Sequence, residues 1–329
     1  MKALALTAPR CFEFLKQAEP DAPATDEAVV RVRAIGVCGT DISGYLGKMP
    51  FIQYPRILGH ELGVEVVEIG NAVTNVKVGD YCSVEPYLNC EACSMCHAGR
   101  TNCCESLRVL GVHCDGGLRP LIKIPAKKLH GANDLAFEQL ALVETLAIGC
   151  HAVNRAAPKE NESVLVIGAG PIGLSVIEFV RLTGARLHVV EPNDRRREFV
   201  AATYAPERVL SSIEDAEPAD AVFDATGSPS CMSGAFSRAA FGGRVIFVGI
   251  TSQPVTLDDP LFHRRELTLL ATRNAVASDF TRIIGLIRDG KIDTQQWISH
   301  RMGFNEVPEK FPDLLKPECG VVKAMIEMA

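Results

Sequence analysis

Four closely spaced cysteines are the strongest chemical signal in this sequence. Cys90, Cys93, Cys96 and Cys104 follow the pattern C-x₂-C-x₂-C-x₇-C within one short segment. Four thiolates at this spacing suit a closed tetrahedral zinc site, in which the metal stabilises the local fold. Cys103 is the neighbour of Cys104, and spacing alone leaves both open as the fourth ligand. An iron–sulfur cluster would also use cysteines alone, but nothing else in the sequence indicates electron transfer.

A glycine-rich segment predicts a dinucleotide-binding loop. Residues 168–173 read Gly-Ala-Gly-Pro-Ile-Gly, and this G-x-G-x-x-G pattern follows a strand pattern and opens a helix pattern. In order, its three glycines would permit a tight turn, let the backbone approach a pyrophosphate, and let helix and strand pack closely. The helix N terminus would favour the phosphate charge. The loop residues expected to bind the cofactor are Gly168, Gly170, Pro171, Ile172 and Gly173.

An acidic residue at the end of the next strand pattern bears on the choice of cofactor. Glu191 lies about 20 residues beyond the glycine loop, where a carboxylate hydrogen-bonds the ribose hydroxyls of NAD. A carboxylate there would repel the 2′-phosphate of NADP. Arg195, Arg196 and Arg197 follow closely, and they either meet such a phosphate or lie on a solvated helix face. The pattern favours NAD over NADP.

A second set of potential metal ligands is dispersed along the chain. Cys38 lies in Gly-Val-Cys-Gly-Thr-Asp, His60 and Glu61 lie in Gly-His-Glu-Leu-Gly, and Glu144 lies in Val-Glu-Thr-Leu. Cysteine, histidine and carboxylate side chains are the ligands that catalytic zinc sites use. Spacing does not link the three segments, so each residue is by itself only a potential ligand.

Length and composition are those of an ordinary globular protein with two domains. The chain has 329 residues, of which 47% are hydrophobic and 22% charged. A net charge of −6 argues against nucleic acid or an anionic membrane as the main partner. No apolar run approaches the roughly 20 residues that span a bilayer, and the apolar N terminus is too short for a signal peptide. We therefore expect a cytoplasmic protein. Of its twelve cysteines, four fall in one short segment, which favours metal binding over disulfides.

The elements that must position these residues change character along the chain. Residues 28–34 and 63–70 alternate as half-buried strands do, and no long helix pattern accompanies them. From Ser163 onward, buried strands alternate with helices, which predicts a parallel sheet covered on both faces. The tail, residues 320–328, is again strand-like and would rejoin the first domain.

The motifs together resemble the zinc-containing medium-chain dehydrogenase/reductase family of the alcohol dehydrogenase superfamily. The Cys-Gly-Thr-Asp segment, Gly-His-Glu, the cysteine loop, Val-Glu-x-Leu and the glycine loop occur in the family order over nearly the whole chain. Glu144 stands where classical alcohol dehydrogenases have Cys, so the chain is most similar to the polyol, threonine and sugar-acid dehydrogenase branch. The resemblance implies an α/β fold. A GroES-like β-rich catalytic domain would span 1–145 and be completed by about 275–329, and a doubly wound Rossmann domain would span 146–274.

The same resemblance implies a catalytic zinc ion held by Cys38 and His60. Either Glu61 or Glu144 would complete the protein ligands, since members of the family differ in which carboxylate binds. The chain would thus hold two zinc ions, one catalytic and one structural.

The resemblance also implies roles for residues beside the zinc ligands. Thr40 matches the hydroxyl residue that relays the substrate proton, and Asp41 would orient His60 by hydrogen bonding. Many relatives have His three residues after this hydroxyl residue, whereas this chain has Ser43, which leaves the end of the relay open. By resemblance, Thr226 would lie near the adenosine side of the cofactor, and Val248 and Gly249 beside the nicotinamide.

The implied activity is oxidation of a secondary alcohol to a ketone, with hydride transfer to NAD. The substrate would be a polyol, a sugar acid or a similar small polar alcohol. Alternatives are an L-threonine 3-dehydrogenase, an NADP-dependent aldehyde reductase, and a zinc-binding protein without activity. Relatives imply a homodimer or homotetramer, and strand 244–250 is either part of such an interface or an ordinary core strand.

Other side chains are open to more than one interpretation. His113 and His151 are more often packed or surface histidines than catalysts at such positions. The aromatic residues Tyr45, Phe51 and Tyr87 are candidates for the wall of a substrate pocket, which the sequence does not decide.

Overall fold

The computed structural model describes residues 1–328, over which it contains seventeen strands and nine α-helices joined by turns and short 3₁₀ segments. The strands are β1 (Lys2–Ala8), β2 (Cys11–Lys16), β3 (Glu27–Gly36), β4 (Glu61–Ile69), β5 (Tyr81–Val84), β6 (Tyr87–Leu88), β7 (Arg108–Val109), β8 (Leu121–Pro125), β9 (Leu129–Gly131), β10 (Ser163–Ile167), β11 (Arg186–Val190), β12 (Arg208–Leu210), β13 (Ala219–Asp224), β14 (Ala239–Phe247), β15 (Thr268–Ala271), β16 (Ile298–Gly303) and β17 (Lys323–Glu327). The helices are α1 (Gly39–Tyr45), α2 (Ser94–His97), α3 (Phe137–Ala156), α4 (Pro171–Arg181), α5 (Asp194–Tyr204), α6 (Pro229–Ala235), α7 (Asp259–Arg264), α8 (Ala277–Arg288) and α9 (Val307–Lys310).

The chain forms two compact units. One consists of Met1–Thr145 together with the C-terminal segment that starts at Val276, and the other is Leu146–Ala275. The division between them falls inside α3. No helix of the described residues is both long enough and apolar enough to cross a membrane.

The first unit is built on a seven-stranded, mostly antiparallel sheet. Its strand order is β16-β17-β3-β4-β5-β9, and β8 pairs with the first half of β3. The C-terminal strand β17 pairs with the second half of β3, in antiparallel register through Met325 and Gly36. Buried apolar residues such as Val30, Val32 and Val64 alternate along the sheet and form the core of this unit. β3 is therefore the central strand, with β4 and β17 on either side of its last residues.

The second unit is a six-stranded, fully parallel sheet in the order β12-β11-β10-β13-β14-β15. Its central strands β10 and β13 are buried along most of their length, as expected where helices cover both faces of a sheet. Asn193 caps α5 by accepting a hydrogen bond from the backbone N of Arg196 at 3.1 Å. The predicted α/β class and the parallel Rossmann-like sheet are confirmed.

One expectation from the sequence needs correction, and one alternative left open there is narrowed. The first 145 residues include the start of a twenty-residue helix, α3, although no long helix was expected there. Most of α3 is buried, so apolar residues occur on nearly all its sides and give no one-sided helical pattern. The sequence left strand 244–250 as either part of an interface or an ordinary core strand, and the structure places its residues up to Phe247 in β14, which lies between β13 and β15.

Candidate active site and metal centres

Cys38 lies at the junction where β3 ends and α1 begins. It is the residue before the first helical residue, with φ −93° and ψ 157°. Oδ2 of Asp41, in the first turn of α1, accepts a hydrogen bond from the backbone N of Cys38 at 2.9 Å. This bond satisfies an amide at the helix start, and it ties the carboxylate and the thiol-bearing residue to one rigid turn.

His60 and Glu61 reach the same place from β4. Because β3 and β4 are antiparallel with Glu61 opposite Gly36, the start of β4 lies beside the end of β3. One ligand atom from each of Cys38, His60 and Glu61 lies within 4.8 Å of the other two. The structure thus gathers three of the four residues proposed to bind the catalytic metal.

Two of the three cluster residues, His60 and Glu61, are buried, whereas Cys38 is half-buried. His60 is 4% exposed and Glu61 is fully buried. Burial by itself lowers the pKa of His60, but Asp41 and the Cys38 thiol outweigh it and hold that pKa well above its ordinary value. Surroundings that favour a cationic imidazole also favour a bound divalent cation. One sulfur, one nitrogen and one carboxylate donor are ligands that zinc accepts, so the residues fit a zinc ion.

Asp41 also faces the ring of His60. Its Oδ1 lies 3.7 Å from Nδ1 of His60, and neither atom has a hydrogen-bond partner among the described residues. Burial raises the pKa of Asp41, although the neighbouring His60 opposes the rise. A carboxylate beside one ring nitrogen can set which nitrogen of a histidine binds a metal. That Asp41 orients His60 remains a prediction, for which this geometry is suitable.

Glu144 approaches the cluster from α3 and is held by a tyrosine. The hydroxyl of Tyr87 donates a hydrogen bond to Oε1 of Glu144 at 2.5 Å, and both residues are buried. Burial, and then the charge of Glu144, raise the pKa of Tyr87 well above its ordinary value. Burial likewise raises the pKa of Glu144, although the nearby His60 opposes it. The tyrosine therefore remains a neutral donor that fixes the carboxylate.

Glu61 has a partner of a different kind, the ammonium group of Lys323. Nζ of Lys323 lies 2.6 Å from Oε1 and 2.5 Å from Oε2 of Glu61. Both side chains are 1% exposed. The two carboxylates that the sequence left as alternatives are thus distinguished by their partners, a cation for Glu61 and a phenol for Glu144.

Thr40 and Ser43 lie on α1, directly after Cys38. Thr40 is the second residue of the helix, and both side chains are half-buried. Thr40 is therefore close in sequence to the thiol and lies partly open to solvent, as a proton-relay hydroxyl would require. Its role stays a prediction.

The four-cysteine loop forms a second possible metal site. The Sγ atoms of Cys90, Cys93, Cys96 and Cys104 lie within 4.8 Å of one another, and Cys103 is outside this group. Backbone N–H groups lower the pKa of Cys93 to about 6, which favours its thiolate, whereas burial raises the pKa of Cys104 to about 11. Four thiols converging at this distance fit the closed sulfur-only site expected from the spacing.

The glycine loop in the second unit has the predicted geometry. Gly168 has φ +93°, which L side chains rarely adopt. A Cβ at Gly173 would lie 1.8 Å from the carbonyl O of Gly168, so only glycine fits there. A Cβ at Gly170 would meet nothing closer than an Arg196 nitrogen at 3.9 Å, which leaves space beside the backbone. Oε2 of Glu191 accepts a hydrogen bond from the backbone N of Ala169 at 2.8 Å, which ties this carboxylate to the loop.

Two further loops meet the glycine loop at the carboxyl ends of the parallel strands. Thr226 lies beside Gly168, since a Cβ on that glycine would be 3.0 Å from the Thr226 methyl group. Val248 and Gly249 both donate backbone hydrogen bonds to the carbonyl O of Asp224, at 2.9 and 3.0 Å. The structure thus assembles the residues predicted to line the cofactor at one edge of the sheet, where ligands bind in such folds.

Sequence reasoning missed three residues of these sites. Lys323 gave no signal, because it lies 262 positions from Glu61 in the chain. Tyr87 was only one of several aromatic candidates. Asp224 ends its strand and accepts hydrogen bonds from Thr226 N and Oγ1 at 3.0 and 2.8 Å, which orders the loop beside Gly168. An acidic residue ending a buried strand is the signal that could have identified Asp224.

The other side chains singled out in the sequence, two aromatic residues and a histidine, make packing contacts or are exposed. Tyr45 is 6% exposed and packs against Phe12 and Phe311 in the core. Phe51 is 51% exposed and lies 6.0 Å, centroid to centroid, from His113. Nδ1 of His113 accepts a hydrogen bond from the backbone N of Val109 at 3.1 Å, which matches a packed histidine.

Comparison with known proteins agrees with this arrangement. Residues 24–134 match the family model of the alcohol dehydrogenase GroES-like domain, and residues 171–289 match that of the zinc-binding dehydrogenases. The chain belongs to the zinc-containing medium-chain dehydrogenase family. It is therefore a dehydrogenase of the zinc-dependent alcohol dehydrogenase type.

Individual members of this dehydrogenase family align along almost the whole chain. The L-galactonate-5-dehydrogenase of Escherichia coli K12 is 37% identical over 306 residues, which cover 90% of each chain. A structure described as the short chain alcohol dehydrogenase RspB of Escherichia coli CFT073, complexed with NADH, has a TM-score of 0.91 at 27% identity and covers 99% of each chain. A zinc-binding dehydrogenase structure from Sinorhizobium meliloti 1021, bound to NADP, has the same TM-score and identity and covers 99% of this chain and 98% of its own.

Proposed function

We propose that this dehydrogenase oxidises a secondary alcohol of a sugar acid or polyol to the ketone and transfers the hydride to NAD. The observation that carries the proposal is the cluster of Cys38, His60 and Glu61, whose ligand atoms lie within 4.8 Å of one another. The galactonate dehydrogenase similarity and the presence of Glu144 in place of a cysteine support the substrate class.

In the proposed reaction, Cys38 and His60 would hold the catalytic zinc, with Glu61 or Glu144 as the third protein ligand. When bound, the zinc would supply Lewis acidity that lowers the pKa of the substrate hydroxyl. Asp41 would hold both the Cys38 backbone and the His60 ring in place, as its two oxygens face them.

The proton of the substrate hydroxyl would leave through Thr40. Its Oγ1 would accept that proton and pass its own outward from α1, where the side chain is half-buried. Ser43, one turn further on α1, is the next hydroxyl on this route. When bound, the nicotinamide would supply the redox chemistry as the hydride acceptor.

The proposed preference for NAD rests on Glu191. Its carboxylate accepts hydrogen bonds from the backbone N of Ala169 at 2.8 Å and of Asn193 at 2.9 Å, so it is fixed at the loop edge. A carboxylate held there disfavours a 2′-phosphate by charge repulsion. Nη1 of Arg196 lies 4.0 Å from Glu191 and offsets part of that repulsion. The two solved structures, one with NADH and one with NADP, match this chain equally well, so they do not favour either cofactor.

A steady-state panel tests the proposal. The purified protein is assayed with NAD and with NADP against L-galactonate, other aldonates, polyols, L-threonine and simple aldehydes. We expect the highest kcat/KM with NAD and an aldonate or polyol. Higher kcat/KM with threonine would assign the amino alcohol instead, and a strong preference for NADP with aldehydes would assign a reductase. Absence of turnover across the panel in protein that contains two zinc ions would contradict the proposed substrate class.

We also propose a homo-oligomer, a dimer or a tetramer. In the described chain β15 is one of the two edge strands of the parallel sheet, and its Leu269 is 41% exposed. A second copy that extends the sheet through this edge would cover an apolar strand. Light scattering should therefore give a multiple of the 35.5 kDa chain mass, and Leu269→Lys should lower it. A monomer at micromolar concentration would contradict the proposal.

We propose a cytoplasmic location. Two sites that depend on reduced cysteine thiols, at Cys38 and in the four-cysteine loop, are maintained best in a reducing compartment. Fractionation of cells that produce the protein at native level should recover it with cytoplasmic markers. Recovery from an oxidising compartment would refute this location.

A further inference from the structure

Asp224 is a fully buried carboxylate at the carboxyl end of β13. One of its oxygens, Oδ1, accepts hydrogen bonds from Thr226 N at 3.0 Å, Thr226 Oγ1 at 2.8 Å and Gly227 N at 3.3 Å. The other oxygen, Oδ2, is buried and has no hydrogen-bond partner among the described residues. A buried carboxylate is unfavourable unless it is hydrogen-bonded, so this one depends on the turn that follows it.

The charge of Asp224 is not what stabilises the fold at this point. Burial raises the pKa of Asp224, although the hydrogen bonds from Thr226 and Gly227 oppose the rise. A carboxyl group whose ionised form is disfavoured in the folded protein costs stability when it is ionised. What the side chain contributes in return is the position of the turn, because the three donors converge on a single oxygen.

The turn held by Asp224 packs directly against the loop that follows β14. A Cβ at Gly249 would lie 2.4 Å from the backbone N of Gly227, and a Cβ at Gly227 would lie 2.7 Å from the carbonyl O of Ile250. Gly227 also has φ +64°, which L side chains rarely adopt. The two loops therefore meet backbone to backbone, and a shift of the turn would displace Gly249.

The other side of the same turn packs against the glycine loop. The methyl group of Thr226 lies so near Gly168 that a Cβ on that glycine would be 3.0 Å from it. The hydroxyl of Thr226 donates to Asp224 and also accepts a hydrogen bond from the backbone N of Ser228 at 3.0 Å. This fixes the side chain of Thr226, so one carboxylate sets a turn that lies between the glycine loop and the loop at Gly249.

We infer that Asp224 is a positioning residue that couples the two halves of the cofactor site, because its side chain fixes the turn between the loops proposed for the adenosine and nicotinamide sides. This inference rests on the proposed binding of NAD. With the turn in place, Thr226 and Gly249 are held at a fixed separation, so a dinucleotide meets both loops without having to order them. A fragment of the cofactor that lacks the nicotinamide does not use this separation.

Calorimetric binding of NADH and of ADP-ribose to the full-length protein tests the inference without a substrate. ADP-ribose lacks only the nicotinamide ring, whereas NADH spans both sides of the site. We expect Asp224→Ala to weaken NADH binding at least ~10-fold more than it weakens ADP-ribose binding, because the displaced turn also disturbs Gly249. An equal loss for both ligands, or no loss for either, would overturn the inference. Absence of NADH binding by wild type would instead overturn the proposed function and the inference with it.

Two further variants separate positioning from general damage to the sheet. Asp224→Asn keeps an oxygen that can accept the hydrogen bonds of the turn, so its NADH affinity should stay within about threefold of wild type. A loss as large as in Asp224→Ala would contradict the role assigned to these bonds. Asp220, near the amino end of β13, is the matched control, because its carboxylate also accepts a backbone hydrogen bond, from Ser163 N at 2.8 Å. Asp220→Ala should lower the unfolding temperature yet leave the ratio of NADH to ADP-ribose affinity unchanged. An equal change of that ratio in Asp220→Ala would refute the positioning role of Asp224.

Gly249→Ala tests the contact between the two loops from the other side. The added methyl group should press on the backbone N of Gly227 and lower the ratio of NADH to ADP-ribose affinity by itself. In this background Asp224→Ala should lower the ratio much less than in wild type, because the turn is already displaced. Gly234→Ala, in α6, is the control, because its Cβ would meet a side-chain atom of Ile213 at 3.4 Å, an ordinary contact distance. Full additivity of Asp224→Ala and Gly249→Ala would show that the loops act independently, and the coupling would be disproved.

Discussion

The four-cysteine group and the Cys38–His60–Glu61 group both bring their donor atoms within 4.8 Å of one another, but from very different lengths of chain. The cysteine group comes from one segment of fifteen residues, 90–104, with an exposed first ligand and a buried last one. The other group is assembled from β3, β4 and α1 in the core of the first unit, and Asp41, Tyr87 with Glu144, and Lys323 surround it. The first site can be formed by its own loop, whereas the second depends on the whole unit. This difference suits a metal that stabilises structure in one case and a metal that reacts in the other.

The largest expected effect comes from removing a ligand of the buried group. Cys38→Ser should lower kcat/KM by at least about 10³-fold, because the Lewis-acid contribution of the metal is lost. The unfolding temperature should change little, since the surrounding sheet remains. Steady-state kinetics and thermal unfolding check these two expectations. Metal analysis should show a fall from two zinc ions per chain to one. A large loss of stability with activity retained would reverse the assigned roles of the two sites.

Removing a ligand of the cysteine loop should lower stability more than activity. Cys104→Ser should lose one zinc ion and destabilise the protein by several kcal/mol, because metal binding contributes folding free energy. Activity per folded molecule should fall less than in Cys38→Ser. Cys103→Ser is the matched control, since Cys103 lies outside the grouped thiols and should keep both metal ions. Metal loss in Cys103→Ser rather than in Cys104→Ser would identify the other cysteine as the ligand.

The same difference decides what the sequence alone could predict. The cysteine loop and the glycine loop were identified from spacing, because each folds from neighbouring residues. Cys38, His60 and the two glutamates were linked only by resemblance, since strand pairing brings them together. Lys323 was not identified at all, because it reaches Glu61 only through the pairing of β17 with β3. The long helix α3 was missed because its burial on nearly all sides hides the helical period on which such predictions depend.

Asp41→Asn tests whether the buried site, unlike the four-cysteine site, depends on a residue that holds the metal ligand His60 in place. Its Oδ1 lies 3.7 Å from Nδ1 of His60, and loss of the charge should weaken metal binding at the catalytic site by about tenfold or more. The hydrogen bond from the Cys38 backbone to the side chain can persist through the amide oxygen, so α1 should still form. Co²⁺ titration measures the affinity, and the four-cysteine site serves as the internal reference. An equal loss at both sites would indicate general damage instead of a specific effect on His60.

Tyr87→Phe acts on the free energy of unfolding and leaves every proposed metal ligand in place. It removes the donor of the 2.5 Å hydrogen bond and leaves the buried Glu144 without that partner, which should destabilise the protein by about 1–3 kcal/mol. Binding of a metal ion should recover part of this loss, because the released carboxylate can then bind the cation. Chemical unfolding of the metal-stripped form measures the loss of stability, and unfolding of the zinc-loaded form measures how much of it the metal recovers. Tyr45→Phe, in the apolar core, is the control. If zinc stabilised Tyr87→Phe no more than wild type, Glu144 would not be available to the metal, and the choice between the two carboxylates would fall to Glu61.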